Sequence, residues 1–511
     1  MKRLLFYYFP GIVLFVIAIF IGIFCFKDYG VAWDESIQRE IGVTTYKYIV
    51  NNDQALKSTE FRDLGTGFEL PLIFIEKLLR LEDSRDIYMM RHLVTYLFFI
   101  AGAFCGYILA LRLFKDQFIA GLCFVMLALH PRMFGHAYFN SKDIPFLSAF
   151  LIVFLINQVA FEKNKPFWYL LLGASCGYAT SIRAMGIVLF PCITVFFLID
   201  FLKCLYAKEK NMPVVVNFIV FTVGFCTLLY IAWPILWSNP FFYFAEEFQK
   251  LSHINWEGDV FFQGKNIAGS KLPLNYLPVW FSITMPELWL FLGLLGFVWV
   301  VISFFMSPKK FLLNTPERNY LLYIACFTGP VLAVIVLKSV NYDDWRHLYF
   351  IYPSFVMFAL YAVSKLARKR GKIIVWSACF LQTAYLIFFM VKSHPFEQVY
   401  FNHLVSHENE YLRRNYDLDY WDTAYKTELE YILAHDSTSL IRVYCVSGPI
   451  EENVSILPEP ERKRIQIVHD DDTANYFMTN FRNHPDGYNY PNIIYEKKVL
   501  NSAICRIYKI H

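Results

Sequence analysis

Eleven apolar runs close to bilayer-crossing length constrain this chain more than any other feature. They lie at about 4–26, 92–112, 116–130, 144–161, 167–182, 186–203, 213–236, 286–306, 319–339, 348–367 and 373–391. A helix of about 20 apolar residues satisfies its own backbone in hydrocarbon, so such runs predict membrane spans. The 511-residue chain is 57% hydrophobic and 18% charged, with a mean hydropathy of +0.38. The expected fold is an all-α polytopic membrane domain of about eleven transmembrane helices, residues 1–392, followed by an α/β domain, residues 393–511.

The loops between alternate runs orient the chain. Lys2 and Arg3 precede the first run; Arg112, Lys115, Lys163, Lys165, Lys203, Lys208 and Lys210 fall in the following inside loops. Lys309, Lys310 and Arg318, then Lys365, Arg368, Lys369, Arg370 and Lys372, complete the pattern. Basic loops stay cytoplasmic, so the C-terminal region is expected outside. The first run lacks a small-x-small cleavage site and reads as a retained anchor. The outer face then collects the loops 27–91 and 237–285, shorter segments near 131–143, 183 and 340–347, and the tail. In that tail Thr423–Ala434 reads as a helix, and Leu440–Val446, Arg464–Val468, Ile493–Val499 and Ala503–Ile510 read as strands.

Most of the 11 Cys sit inside apolar runs and read as small buried hydrophobes. Cys445 and Cys505 lie outside them and could pair in an oxidising compartment. No CxxC pair, HExxH or glycine-rich phosphate loop occurs. Spans poor in ionisable residues and without internal repeats argue against a transporter or flippase, the rival reading.

Two outer segments concentrate chemistry. The first is Trp33-Asp34-Glu35, just past the first run. The second, His130 to Phe146, packs His130, Arg132, His136, Lys142 and Asp143 into one connection. Lys142 and Arg132 suit a phosphate; Asp143 suits an acceptor, a metal or the cap of the next helix, with Pro145 in its first turn. Arg183, and Arg346 with His347, stand at span ends, where they bind a phosphate or anchor a helix by snorkelling. Trp237, Glu246, Glu247, Trp256, Glu257, Asp259, Lys271 and Trp280 make 237–285 a candidate lid, and 394–402 with 416–421 a candidate junction to the tail.

Together these residues resemble the GT-C integral-membrane glycosyltransferases, nearest to bacterial relatives of protein O-mannosyltransferases and lipid A aminoarabinose transferases. Asp34-Glu35 is similar to that family's acidic motif, and Asp143 to the acid of its second outer loop. His130–Phe146 and Trp345–Phe350 also look like segments of its bacterial members. The resemblance extends through about residue 402. It implies a sugar donor on a polyprenyl phosphate, an inverting transfer on the non-cytoplasmic face, and an acceptor hydroxyl on a protein or an envelope glycan or lipid. Nucleic acid is not an expected partner. In that scheme Asp34 is the base, with Glu35 or Asp143 supporting. Lys142, Arg183, Arg346 and Arg132 hold the lipid phosphate, with His136 and His347 as hydrogen-bond donors. A divalent cation stays open, because no ligand set settles it. The implied location is a bacterial inner membrane with the tail in the periplasm.

Overall fold

The computed structural model describes residues 2–62, 64–252, 258–337, 340–368, 371–446 and 448–511. Trp256, Glu257, Lys369 and Arg370 lie outside those residues. Helices α1 (Lys2–Cys25), α2 (Trp33–Asn51), α3 (Glu69–Leu78), α4 (Ser84–Phe114), α5 (Gln117–Ala128), α6 (Pro131–Phe139), α7 (Asp143–Lys163) and α8 (Pro166–Ile182) come first. They are followed by α9 (Leu189–Tyr206), α10 (Met212–Ala232), α11 (Pro240–Ser252), α12 (Tyr276–Thr284), α13 (Glu287–Met306), α14 (Pro308–Leu313), α15 (Thr315–Leu337), α16 (Tyr352–Leu366) and α17 (Gly371–Ser393).

Among the described residues, nine helices are long and apolar enough to cross a membrane, and α5 with α6, bent by 57°, makes a tenth if counted as one span. The chain is thus an integral membrane protein. The expected eleven differ at two places. The run 116–130 ends early because His130 precedes Pro131: proline drives its predecessor out of helical conformation and then starts α6 from its first turn. The run 167–182 is the 17-residue α8, which stops at the extended Arg183.

Helix contact here relies on small residues, since lipid supplies no hydrophobic push between spans. A Cβ on Gly173 would stand 1.9 Å from the Phe221 carbonyl oxygen, and one on Gly177 2.3 Å from that of Phe225. Gly224 faces back onto the Leu170 carbonyl of α8 at 2.3 Å. The α8 and α10 backbones therefore touch directly. Gly173→Ala is expected to push them apart and to destabilise the protein by about 1–3 kcal/mol, read as a lowered unfolding midpoint in detergent.

The tail matches much of its expected pattern. A helix, α18 (Tyr411–Asn415), precedes α19 (Ala424–His435), after a hairpin, β1 (Asp259–Phe262) and β2 (Lys265–Ala268), inserted earlier in the chain. The tail strands are β3 (Ile441–Cys445), β4 (Ile465–Ile467), β5 (Tyr476–Thr479), β6 (Ile493–Val499) and β7 (Ser502–Lys509), in sheet order β4-β3-β5-β7-β6. β3 runs parallel to β4 and β5, and β7 antiparallel to β5 and β6. The central strand β5 is absent from the sequence expectation. It is four residues long and buried throughout, so it shows no alternation. Its position also separates Cys445 on β3 from Cys505 on β7, and both are free thiols. Two strand spacings put them about 10 Å apart, beyond the reach of a disulfide.

The tail's own apolar core, with Tyr425, Leu429, Ile441, Val443 and Met478, begins after residue 424. The preceding stretch, including Phe396, Tyr400, Phe401, Leu412, Tyr416 and Trp421, packs into the core of the helical bundle instead. The division expected at 392/393 thus falls inside a shared core.

Candidate functional site

The site forms where the α2 start, the α6–α7 connection, the α8 end and the segment before α16 meet under the tail. Asp34 occupies the first turn of α2, where the helix dipole favours an anion. The backbone N–H of Trp33 donates to the Trp421 carbonyl at 3.1 Å, and Asn453 brackets Val31 through its amide, accepting from the N–H and donating to the carbonyl, each at 3.0 Å. Gly30 is needed for this clasp: a Cβ there would lie 2.3 Å from the Thr423 carbonyl.

Arg346 is the hub. Its Nη1 lies 3.4 Å from Asp34 Oδ2 and 3.6 Å from Asp143 Oδ2, and its Nη2 3.2 Å from Asp343 Oδ2. The guanidinium stacks over Trp421 at 4.6 Å and Tyr342 at 5.0 Å, contacts for which its plane is suited. Arg183 pairs with the other oxygen of Asp143. The three carboxylates differ in access: the side chain of Asp34 is 35% exposed, against 2% for Asp143 and 12% for Asp343. Asp34 alone of the three combines a strong cation with an open face. Arg346 stands among these acids, so they form a salt-bridged set.

Asp143 does not cap α7, as the sequence suggested it could. Asn140 takes that role: its Oδ1 accepts the Asp143 N–H at 2.8 Å and the Lys142 N–H at 3.3 Å, while its Nδ2 donates to Asp143 Oδ2 at 3.0 Å. Pro145 lies in the first turn of α7, as expected. The partly exposed Lys142 has its pKa lowered to about 8, first by burial of the ammonium and then by repulsion from Arg183.

Beneath this layer runs a buried second one. Arg132 donates to Asp344 Oδ2 at 2.8 Å and to the Tyr400 carbonyl at 3.1 Å, and lies over Phe401 and Trp280. Tyr420 and Tyr349 donate to the same Asp344 oxygen at 2.8 and 3.0 Å. His136 Nε2 lies 3.2 and 3.3 Å from those two hydroxyls, and its Nδ1 3.2 Å from Asn140 Nδ2. Burial raises the Asp344 carboxyl to about 6, against the pull of Arg132. Asp343 and Asp344 both have positive φ, 55° and 65°, a left-handed pair held by these contacts.

The structure therefore brings Asp34, Asp143, Lys142, Arg183 and Arg346 together. Arg132 and His136 support them from below, and His347 packs edge-on against Tyr342 at 4.8 Å. Glu35 turns away: its Oε1 accepts the Ala32 N–H at 2.9 Å, at the N-cap of α2, and lies 3.1 Å from His92 Nε2. Asp343, Asp344, Asn140, Tyr349 and Tyr420 were not among the sequence candidates. The two aspartates stood next to Arg346 in sequence, and that charge pairing was the available signal. The tyrosines carry no local signal, since one comes from a span start and the other from the tail. Trp280 of the expected lid is core, against Tyr416 at 5.1 Å. The described part of that loop is tied to the tail through a Phe262–Tyr416 bridge and the Gly264 N–H to Asn415 carbonyl bond of 3.2 Å.

A bundle of apolar helices carrying a carboxylate–guanidinium cluster at one end, beneath a C-terminal sheet domain, is the GT-C architecture that the sequence resembles. Residues 66–247 match the family model described as dolichyl-phosphate-mannose-protein mannosyltransferase. That match bears out the resemblance over the matched residues. The matched segment holds Asp143, Lys142, Arg183, His136 and Arg132; Asp34 and Arg346 lie outside it. No curated protein matches the chain in sequence. Among solved structures, the apo oligosaccharyltransferase of Archaeoglobus fulgidus is similar at 10% identity and a TM-score of 0.47, over 91% of this chain and 65% of its own. This chain thus spans just under two thirds of that protein. Apo ArnT from Cupriavidus metallidurans is similar at 11% identity and a TM-score of 0.46, over 99% of this chain and 98% of its own.

Proposed function

We propose that this protein transfers a sugar from a polyprenyl-phosphate donor to an acceptor hydroxyl on the extracytoplasmic face of the membrane, with inversion. The observation that carries the reading is the half-open Asp34 carboxylate facing Arg346, with Lys142 and Arg183 on the same side of the cluster. The description of the matching family, which names a lipid-phosphate sugar and a protein acceptor, agrees with it.

In this reading the acceptor oxygen attacks the anomeric carbon, its proton passes to Asp34, and the carbon–oxygen bond to the lipid phosphate breaks. The departing phosphate gains charge, which Lys142, Arg183 and Arg346 stabilise from fixed positions. One base and one displacement give an inverted product. Arg132, Asp344, Tyr349, Tyr420 and His136 fix the backbone that presents Arg346 and Asn140, and so act as positioning residues. Glu35 positions Asp34 by capping α2. The tail closes the site from above and lies in the periplasm of a bacterial inner membrane; residues 1–424 form one body with it rather than a separable catalytic domain.

The test is reconstitution in nanodiscs with polyprenyl-phosphate sugars and hydroxyl acceptors, protein-derived and glycan-derived, with the anomeric configuration of the product read by NMR. Turnover with retained configuration defeats the one-step scheme, and no turnover with any lipid-phosphate sugar defeats the donor assignment. A pH prediction follows from Lys142. Its protonated form attracts the donor phosphate, and its pKa is depressed to about 8, so donor affinity is expected to fall as pH rises through about 8. Lys142→Arg, which keeps its charge, should remove that alkaline loss from a KM-versus-pH profile.

A further inference from the structure

On the same end of the bundle, away from the carboxylate cluster, the first and last long spans finish side by side. Cys25 closes α1, Asp28 lies in the turn after it, with its N–H on the Cys25 carbonyl at 3.0 Å, and His394 follows α17. One donor atom from each lies within 4.8 Å of the other two, the one such trio of metal-ligating types among the described residues. His394 Nε2 is 2.9 Å from Asp28 Oδ2.

We propose that Cys25, Asp28 and His394 form a binding site for a divalent transition metal of the zinc class. Thiolate, imidazole and carboxylate together are a borderline-soft donor set, unsuited to magnesium or calcium. Tetrahedral zinc with bonds of about 2.0–2.3 Å holds its donors about 3.3–3.8 Å apart. The donor atoms of the trio, all within 4.8 Å of one another, lie near that spacing, on side chains that are partly exposed. Asp28 is 49% exposed, so a fourth position opens to solvent.

The surroundings are those of a metal-bound histidine. Its other ring nitrogen, Nδ1, lies 2.7 Å from Glu397 Oε1, and Glu397 Oε2 accepts from the Tyr29 hydroxyl at 2.8 Å. A carboxylate on the far nitrogen holds a proton at Nδ1, so that Nε2, which here meets Asp28 at 2.9 Å, can exchange its own proton for a metal. Tyr29 in turn stacks on Tyr138 of α6 at 4.2 Å, and Tyr138 on Tyr96 at 4.7 Å. Lys426 of the tail reaches the Asp28 carbonyl at 3.3 Å. A metal here would pin α1 to α17 beneath the tail, and its effect would reach the helix that carries His136.

The experiment uses the full chain in detergent, stripped with a chelator and titrated with zinc chloride. Expected results are one zinc per chain by elemental analysis, a raised unfolding midpoint, and protection of Cys25 from maleimide, read by mass spectrometry. Cys25→Ser and His394→Gln should each lose the zinc and the midpoint shift. Glu397→Gln should weaken binding by about 10–100-fold. If His394→Gln fails to fold, the Cys25→Ser result decides. Zinc binding undiminished in Cys25→Ser, or wild-type Cys25 labelled equally with and without zinc, overturns the proposal.

Discussion

Asp34→Asn is expected to lower turnover by about 10²–10⁴-fold while the protein keeps its fold and its donor affinity. The range is that of a lost general base. Folding should survive because the amide is nearly the same size and Asp34 is the most open member of its cluster. Arg346 keeps Asp143 and Asp343, so the local charge is still balanced. The amide cannot take the acceptor's proton, so the loss should appear in kcat with little change in KM for the lipid donor. Asp34→Glu, which retains the function at a longer reach, should recover part of it. Undiminished turnover in Asp34→Asn would sink the assignment of the base, whatever the protein's class.

Arg346→Ala should produce the largest loss of stability among single substitutions at the site. Its side chain is only 6% exposed and shares three carboxylates. Removing one partner of a buried ion pair costs about 3–5 kcal/mol, because the remaining charge stays uncompensated. Here up to three acids lose a shared cation, and Trp421 and Tyr342 lose the plane that lies over them. Two comparisons separate this cause from simple cavity formation. Asp343→Asn added to Arg346→Ala should restore part of the stability, since it deletes one stranded charge; a filled or unfilled cavity would not respond that way. Arg346→Lys should recover stability in part but little transfer, because an ammonium cannot bridge three carboxylates and stack at once. Thermal unfolding midpoints and turnover on the same preparations check both.

What the sequence disclosed follows from where the physical signal is local. Apolar length revealed the spans, and the basic loops ordered their ends; α7 carries Asp143 at one end and Lys163 at the other, as that ordering required. The acid of Asp34 was legible because it stands directly after a span. Its partnership with Arg346 joins residues more than three hundred positions apart, and nothing local encodes that. Glu35 shows the opposite hazard: two adjacent acids look equivalent in sequence, yet the helical turn of α2 sends one to the site and the other back to cap its own helix. Trp280 stood in the expected lid and became core because the tail covers it. The strand β5 was illegible because complete burial erases alternation.

The clasp of Asn453 and Thr423 around residues 30 and 31 bears on how the chain can be cut and rejoined. A protein engineer would look for a joint near residue 393, where the last helix leaves the bilayer. The joint is elsewhere. Residues from the far end of the chain hold the start of α2, and so set the pose of Asp34. Removing the tail would therefore untether Asp34. Grafting a foreign tail would succeed only if it brought an amide to Val31 and a bare carbonyl against Gly30.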